Sequence, residues 1–107
     1  EIALRLTTLY LEQERYEELL EFADQEVDNA LTRWNLARAY QALENLEKAE
    51  ELYDQLAREL HDNPEFLEQY VYLLRELGRF EEAKRAAASY LRLVPDDASM
   101  QELYESL

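Results

Sequence analysis

At 107 residues the chain is long enough for one buried core, and its single glycine, two prolines and absent cysteines leave little to punctuate or cross-link it. A formal charge of -14 disfavours nucleic acid and anionic membrane surfaces as partners, because phosphate binding needs a basic surface. Disulfides, thiolate nucleophiles and cysteine-ligated zinc are excluded, and no apolar run is long enough for direct membrane insertion.

Leu, Ala, Glu, Arg and Tyr dominate while Val, Ile and Thr are few, which points to an all-α fold. Apolar residues at helical spacing begin at once. Ile2, Leu6, Leu9 and Tyr10 share a face, and that helix is expected to end near Gln13. Tyr16, Leu19, Leu20, Phe22, Ala23 and Val27 define a second helix, and Asp28 and Asn29 supply a turn and a cap. A third helix carries Leu36, Ala37, Ala39, Tyr40 and Leu43, followed by a short turn at Glu44 and Asn45. The fourth carries Leu46, Ala49, Leu52, Tyr53, Leu56 and Leu60. Asn63 and Pro64 form a start signal: the Asn side chain can cap, and Pro suits the first helical position. Phe66, Leu67, Tyr70, Val71, Leu74 and Leu77 make the fifth helix, closed by Gly78. Phe80, Ala83, Ala87, Tyr90, Leu91 and Val94 carry the sixth, and Pro95 stops it. Asp96 or Asp97 can cap a seventh bearing Met100, Leu103, Tyr104 and Leu107. Of these apolar residues, Met100, Leu103 and Leu107 are expected to keep an uncovered side.

The helices repeat. Leu43, Leu46 and Ala49 recur as Leu77, Phe80 and Ala83, all at one constant interval. Leu36 and Tyr70 share that interval, as do Tyr40 and Leu74, and Tyr70 and Tyr104. Leu6, Tyr10 and Tyr16 precede Leu36, Tyr40 and Leu46 by a slightly shorter one. Two short antiparallel helices cannot bury their apolar faces alone, so successive pairs must stack. The constant interval is the helix–turn–helix period of the tetratricopeptide repeat, which this chain resembles. The resemblance implies an α-solenoid of antiparallel helix pairs: repeats at 1–29, 30–63 and 64–97, then a C-terminal helix at 98–107. Together these are expected to form a single domain, and because the chain starts at Glu1 rather than Met it is expected to be a segment of a longer repeat protein. The third repeat fits best. The second has Glu44 in place of the turn glycine. The first is four residues short and has Leu19 where a small residue belongs, which predicts a wider separation of its two helices.

Chemistry finds little footing. His61 is the only histidine and lies near a helix C-terminus, a structural setting. Helical carboxylate pairs lack the looped spacing of a calcium site. Glu44 with Lys48, Asp54 with Arg58 and Glu81 with Arg85 have the spacing of surface ion pairs. The chain therefore reads as a non-enzyme with no cofactor and no metal.

The resemblance implies instead a protein-interaction scaffold whose first helices line a concave groove. Carried onto this sequence, the groove takes Leu4, Arg5, Thr8 and Leu11, then Trp34, Asn35, Arg38 and Gln41, then Glu68, Gln69, Tyr72 and Arg75. One arginine falls in each repeat, beside the only tryptophan. The partner is another protein, either a peptide segment, a helix or a recruited enzyme. Arg pairs its acidic groups and Trp34 anchors it. Against this, Trp34 can cover a helix junction and the arginines can pair with glutamates on their own helices. A clamp for a chaperone's terminal carboxylate is rejected, because its positions hold Leu4, Thr8, Asn35, Glu65 and Gln69 and only Asn35 fits. The alternative role is a spacer or assembly segment of a longer solenoid, with self-association through its end helices. The texture of acidic, Tyr- and Glu-rich repeats also resembles the helical scaffold of bacterial exopolysaccharide-secretion proteins. The sequence leaves the periplasm and the cytoplasm both open.

Overall fold

The structure, a computed structural model, describes residues 2–24 and 29–107. The described residues form seven α-helices and one 3-10 segment, with no strand. They group into two compact units, Glu1–Glu59 and Leu60–Leu107.

The first unit holds α1 (Ile2–Glu12), α2 (Tyr16–Leu19) continued by a 3-10 turn (Leu20–Asp24), α3 (Ala30–Ala42) and α4 (Leu46–Glu59). Here α3 packs on both α1 and α4, and α2 closes against α1 and α3. Leu19, Leu36 and Ala39 are buried together, with Tyr10, Leu11, Tyr16, Leu20, Phe22 and Leu52 packed around them. Each such Leu contributes about 1.5–3 kcal/mol on burial. The apolar face expected on α1 is not its buried one. Thr7 is its buried residue, whereas Ile2 is 78% exposed and Leu9 is 43% exposed. Because α1 packs on α2 and α3, residues on its far side meet solvent. Leu11 packs into this core rather than onto an open surface.

The second unit holds α5 (Pro64–Glu76), α6 (Phe80–Leu93) and α7 (Ala98–Ser106). Phe66, Leu67, Val71, Leu73 and Leu74 meet a second helix built on Ala83, Ala86, Ala87 and Tyr90. The alanines let the two backbones approach closely. Met100 and Leu103 are buried where α7 packs on α6, so the uncovered side expected for them is not found. Phe80, expected in the core of α6, is instead exposed, as is Leu43 at the end of α3. Both stand at a helix terminus, where the apolar period runs on but the neighbouring helix has turned away.

The repeat is clearest in how helices end. Three first helices close with one motif. Arg15, Asn45 and Arg79 N–H donate to the carbonyls of Tyr10, Tyr40 and Leu74, at 2.8, 2.9 and 2.9 Å. This is the Schellman arrangement, which needs a left-handed residue just before the donor. Those residues are Glu14, Glu44 and Gly78, with φ of 58°, 62° and 79°. The first helix of each following repeat, α3, α5 and α7, starts from a side-chain cap. Asn29 Oδ1 accepts from the Leu31 and Thr32 amides, Asn63 Oδ1 from Phe66, and Asp97 Oδ1 from Met100. The caps recur at the repeat interval, and Asp97 rather than Asp96 is the cap of α7. The stretch from turn to cap, Glu44 to Asn63 and Gly78 to Asp97, has one length in the second and third repeats. In the first it is four residues shorter, so the whole deficit falls between Glu14 and Asn29. An α-helix would lose about 6 Å for four residues. The 3-10 turn rises about 2.0 Å per residue and recovers part of that length. Glu26, Val27 and Asp28 lie outside the described residues, as does the side chain of Ala23.

Tyr90 joins α6 to α7. Its hydroxyl donates to Asp97 Oδ2 at 2.6 Å while Oδ1 caps the helix. The bond to Asp97, with burial, pushes the Tyr90 hydroxyl up to about 12, and the bonds from Tyr90 and then the Met100 amide hold the Asp97 carboxyl below its usual range.

A left-handed non-glycine residue costs about 1–2 kcal/mol. Glu44→Gly is therefore expected to raise unfolding free energy by about 1 kcal/mol in urea titrations. A Cβ on Gly78 would meet no neighbouring atom within 4 Å, so Gly78→Ala should lose a similar amount through backbone strain alone. The Tyr90 contribution is full below its unfolded value of about 10 and is lost as pH rises through 12. The Asp97 contribution is full above about pH 4 and is lost as pH falls below it. Tyr90→Phe should lower Tm at neutral pH and remove one late-titrating tyrosine from the ultraviolet absorbance titration, leaving the buried Tyr53 as another.

Candidate protein-interaction surface

The groove positions divide between the two units. In the first, α1 and α3 meet along a polar seam. Asn35 is buried, and its Nδ2 donates to Thr7 Oγ1 at 3.1 Å and Thr8 Oγ1 at 3.0 Å. Thr7 in turn donates to the Ala3 carbonyl at 2.8 Å. Both amide hydrogens of Asn35 are spent on these hydroxyls, so Asn35 and Thr8 hold α1 against α3. The same bonds leave Asn35 no N–H for a carboxylate, in keeping with rejection of the chaperone-tail clamp.

Trp34 is 6% exposed. Its indole N–H bonds to the buried Tyr53 hydroxyl, and that hydroxyl donates to Gln41 Oε1 at 3.3 Å. Burial raises the Tyr53 pKa, offset in part by the bond from Trp34 and by the charge of Arg38. Trp34 and Gln41 are thus tied to α4 through Tyr53. Nothing in the apolar spacing of α4 marked Tyr53 as the partner of a groove residue, since it reads there as one more core position.

What stays accessible is the guanidinium above the indole. Arg38 lies 5.4 Å from the Trp34 ring centroid and is half-buried. The second unit repeats the pair on α5, where the exposed Arg75 lies 5.4 Å from the Tyr72 ring. Tyr72 is 42% exposed, and Gln69 stands half-buried one turn before it. Arg5 is exposed on α1. Among the described residues neither Arg38 nor Arg75 has a carboxylate within ion-pair distance. α3 carries no carboxylate that could take up Arg38, and those of α5 do not take up Arg75.

The ion pairs lie elsewhere. Arg15 pairs with Glu18, Arg79 with Glu82, and Arg33 with Glu59 at 2.6 Å. The first two are the same contact in the first and third repeats, between the residue after the left-handed turn and the first turn of the second helix. The spacing-based pairs Glu44 with Lys48 and Glu81 with Arg85 are not within ion-pair distance. No group of three or more His, Cys, Asp or Glu among the described residues could hold a metal ion. No helix among the described residues is long and apolar enough to cross a membrane.

None of the curated proteins compared with the chain matches it. The family model described as YpiA-like, C-terminal tetratricopeptide repeats matches residues 31–97, from the start of α3 to the cap of α7. With the left-handed turns and the caps recurring at the repeat spacing, that match places the chain in this family of tetratricopeptide-repeat proteins.

Proposed function

We propose that the chain is a non-enzymatic scaffold segment that recruits a partner protein through its first helices, with Arg38 on Trp34 and Arg75 on Tyr72 as the recognition points. The observation that carries this reading is the pair of guanidiniums stacked on rings and left without carboxylates in a chain with 25 acids. Stacking orients a guanidinium and leaves its N–H edge free to bond bidentately to a carboxylate. Arg and aromatic side chains are also the types that dominate interface energetics. The favoured partner is an acidic extended or helical segment. Arg5 lends further positive charge on α1, and Thr8, Asn35, Gln41 and Gln69 act mainly as support or rim.

Burial changes what Trp34 does in this proposal. It orients Arg38 rather than inserting into the partner. Trp34→Ala is expected to cost about 3–5 kcal/mol of stability, which would confound any binding readout.

The test is selection of a displayed peptide library on the purified chain, followed by anisotropy titration of the enriched peptides. Acid-rich sequences are expected, with Arg38→Glu and Arg75→Glu each weakening binding at least tenfold and leaving the helical circular dichroism unchanged. A spacer whose repeats serve only to stack predicts no enrichment, or binding that neither variant alters. Either result overturns the recruiting role.

A further inference from the structure

The outer side of α6 differs from the rest of the molecule. Glu81, Lys84, Arg85 and Ala88 of α6, with Tyr104 of α7, line an open depression of about 370 Å³. One repeat earlier, α4 carries Glu47, Glu50, Glu51 and Asp54 at the same four α6 positions. The face carries four acids in one repeat and a Lys, an Arg, an Ala and one acid in the next. Solvation alone would be served by the acidic version. The change of sign therefore calls for a second explanation.

The local contacts leave the two cations without an ion pair. Lys84 Nζ lies 5.3 Å from the Tyr104 ring centroid. Neither Lys84 nor Arg85 has a carboxylate within ion-pair distance among the described residues. Glu82 is paired with Arg79, and the charge of Arg85 also acts on it without an ion pair. A cation–π contact at an exposed site is among the weaker attractions, so the ammonium can turn from the ring to a carboxylate at small cost. The floor is Ala88 with the Tyr104 ring, an apolar patch beside two cations.

We propose that this depression is a second docking site, for an acidic segment of a partner protein that carries one apolar side chain between its carboxylates. Lys84 and Arg85 take the carboxylates, and the apolar side chain lies on Ala88 and Tyr104. Glu81 at the rim disfavours a run of acids longer than the two cations can neutralise. The site lies on a second helix and its successor, and it does not depend on the first-helix surface.

A fluorescein-labelled Asp-Glu-Leu-Glu-Asp peptide and its neutral twin Asn-Gln-Leu-Gln-Asn are titrated against the full chain. Anisotropy gives affinity and amide NMR shifts give location. Shifts confined to α6 and α7 are expected, with binding at least tenfold weaker for the neutral twin. Lys84→Glu and Arg85→Glu should each weaken binding at least tenfold, while the charge-matched Arg92→Glu weakens it less than threefold. All three positions are exposed, and circular dichroism checks that each variant stays helical. No binding at millimolar peptide overturns the proposal, as do shifts centred on α3 or α5, or equal losses in all three variants. Sedimentation showing that the parent chain self-associates and that Lys84→Glu does not would instead give the patch to a second copy.

Discussion

Short helices leave many peptide groups without partners. Each helix end strands up to four donors or acceptors, and an unsatisfied buried group costs about 1–3 kcal/mol. A chain with one glycine and two prolines must solve this repeatedly with few specialised residues. It does so with two devices. A left-handed residue closes each first helix through the carbonyls near its end, and an Asn or Asp opens the helix of the next repeat. These devices fix where each helix stops and therefore which residues face one another. Glutamate fills the left-handed position twice, at Glu14 and Glu44, where glycine would be less strained. Packing on either side of those turns must hold them there.

The period of the repeat was legible because it rests on local chemistry. Turn and cap residues act within a few positions of themselves, so their spacing survives in the sequence even where the core residues drift. The bounds of the helices after Asn29 followed for the same reason. Burial was less legible. A helical period says which residues share a stripe, not which stripe meets a neighbour. Ile2 and Leu9 share the stripe expected on α1, yet Thr7 is the buried residue, because Asn35 opposite offers it a hydrogen bond. Trp34 stands at a groove position by register, but its indole reaches Tyr53 on another helix, a contact that no spacing within α3 encodes. Two of the ion pairs expected from spacing, Glu44 with Lys48 and Glu81 with Arg85, failed in a similar way. Spacing of four permits Glu81 to meet Arg85, but nothing in a spacing rule weighs that against the competing partners of each side chain.

The first repeat illustrates how the fold absorbs a defect. Its stretch from Glu14 to Asn29 is four residues shorter than the counterparts, and Leu19 stands where Ala49 and Ala83 stand in the others. All three side chains are fully buried. After Leu19 the helix tightens to 3-10, which covers more length per residue at the expense of hydrogen-bond geometry. The cap at Asn29 keeps the same interval to Asn63 that Asn63 keeps to Asp97.

Electrostatics then separates the cations that hold the fold from those that do not. Arg15, Arg33 and Arg79 are committed to carboxylates, two of them at equivalent turns. Arg15 also lies 4.9 Å from the Tyr10 ring centroid, whereas Arg38, Arg75 and Lys84 rest on aromatic rings with no ion pair. At an exposed site a stack and an ion pair are of similar strength, about 0–1 kcal/mol, so stability alone does not choose between them. The difference lies in what remains. A cation paired with a carboxylate has spent its donors and its charge. A cation on a ring has spent neither, because the ring takes up only its face. In a chain of net charge -14, keeping three cations in that state preserves a capacity for anionic partners that the fold itself does not use.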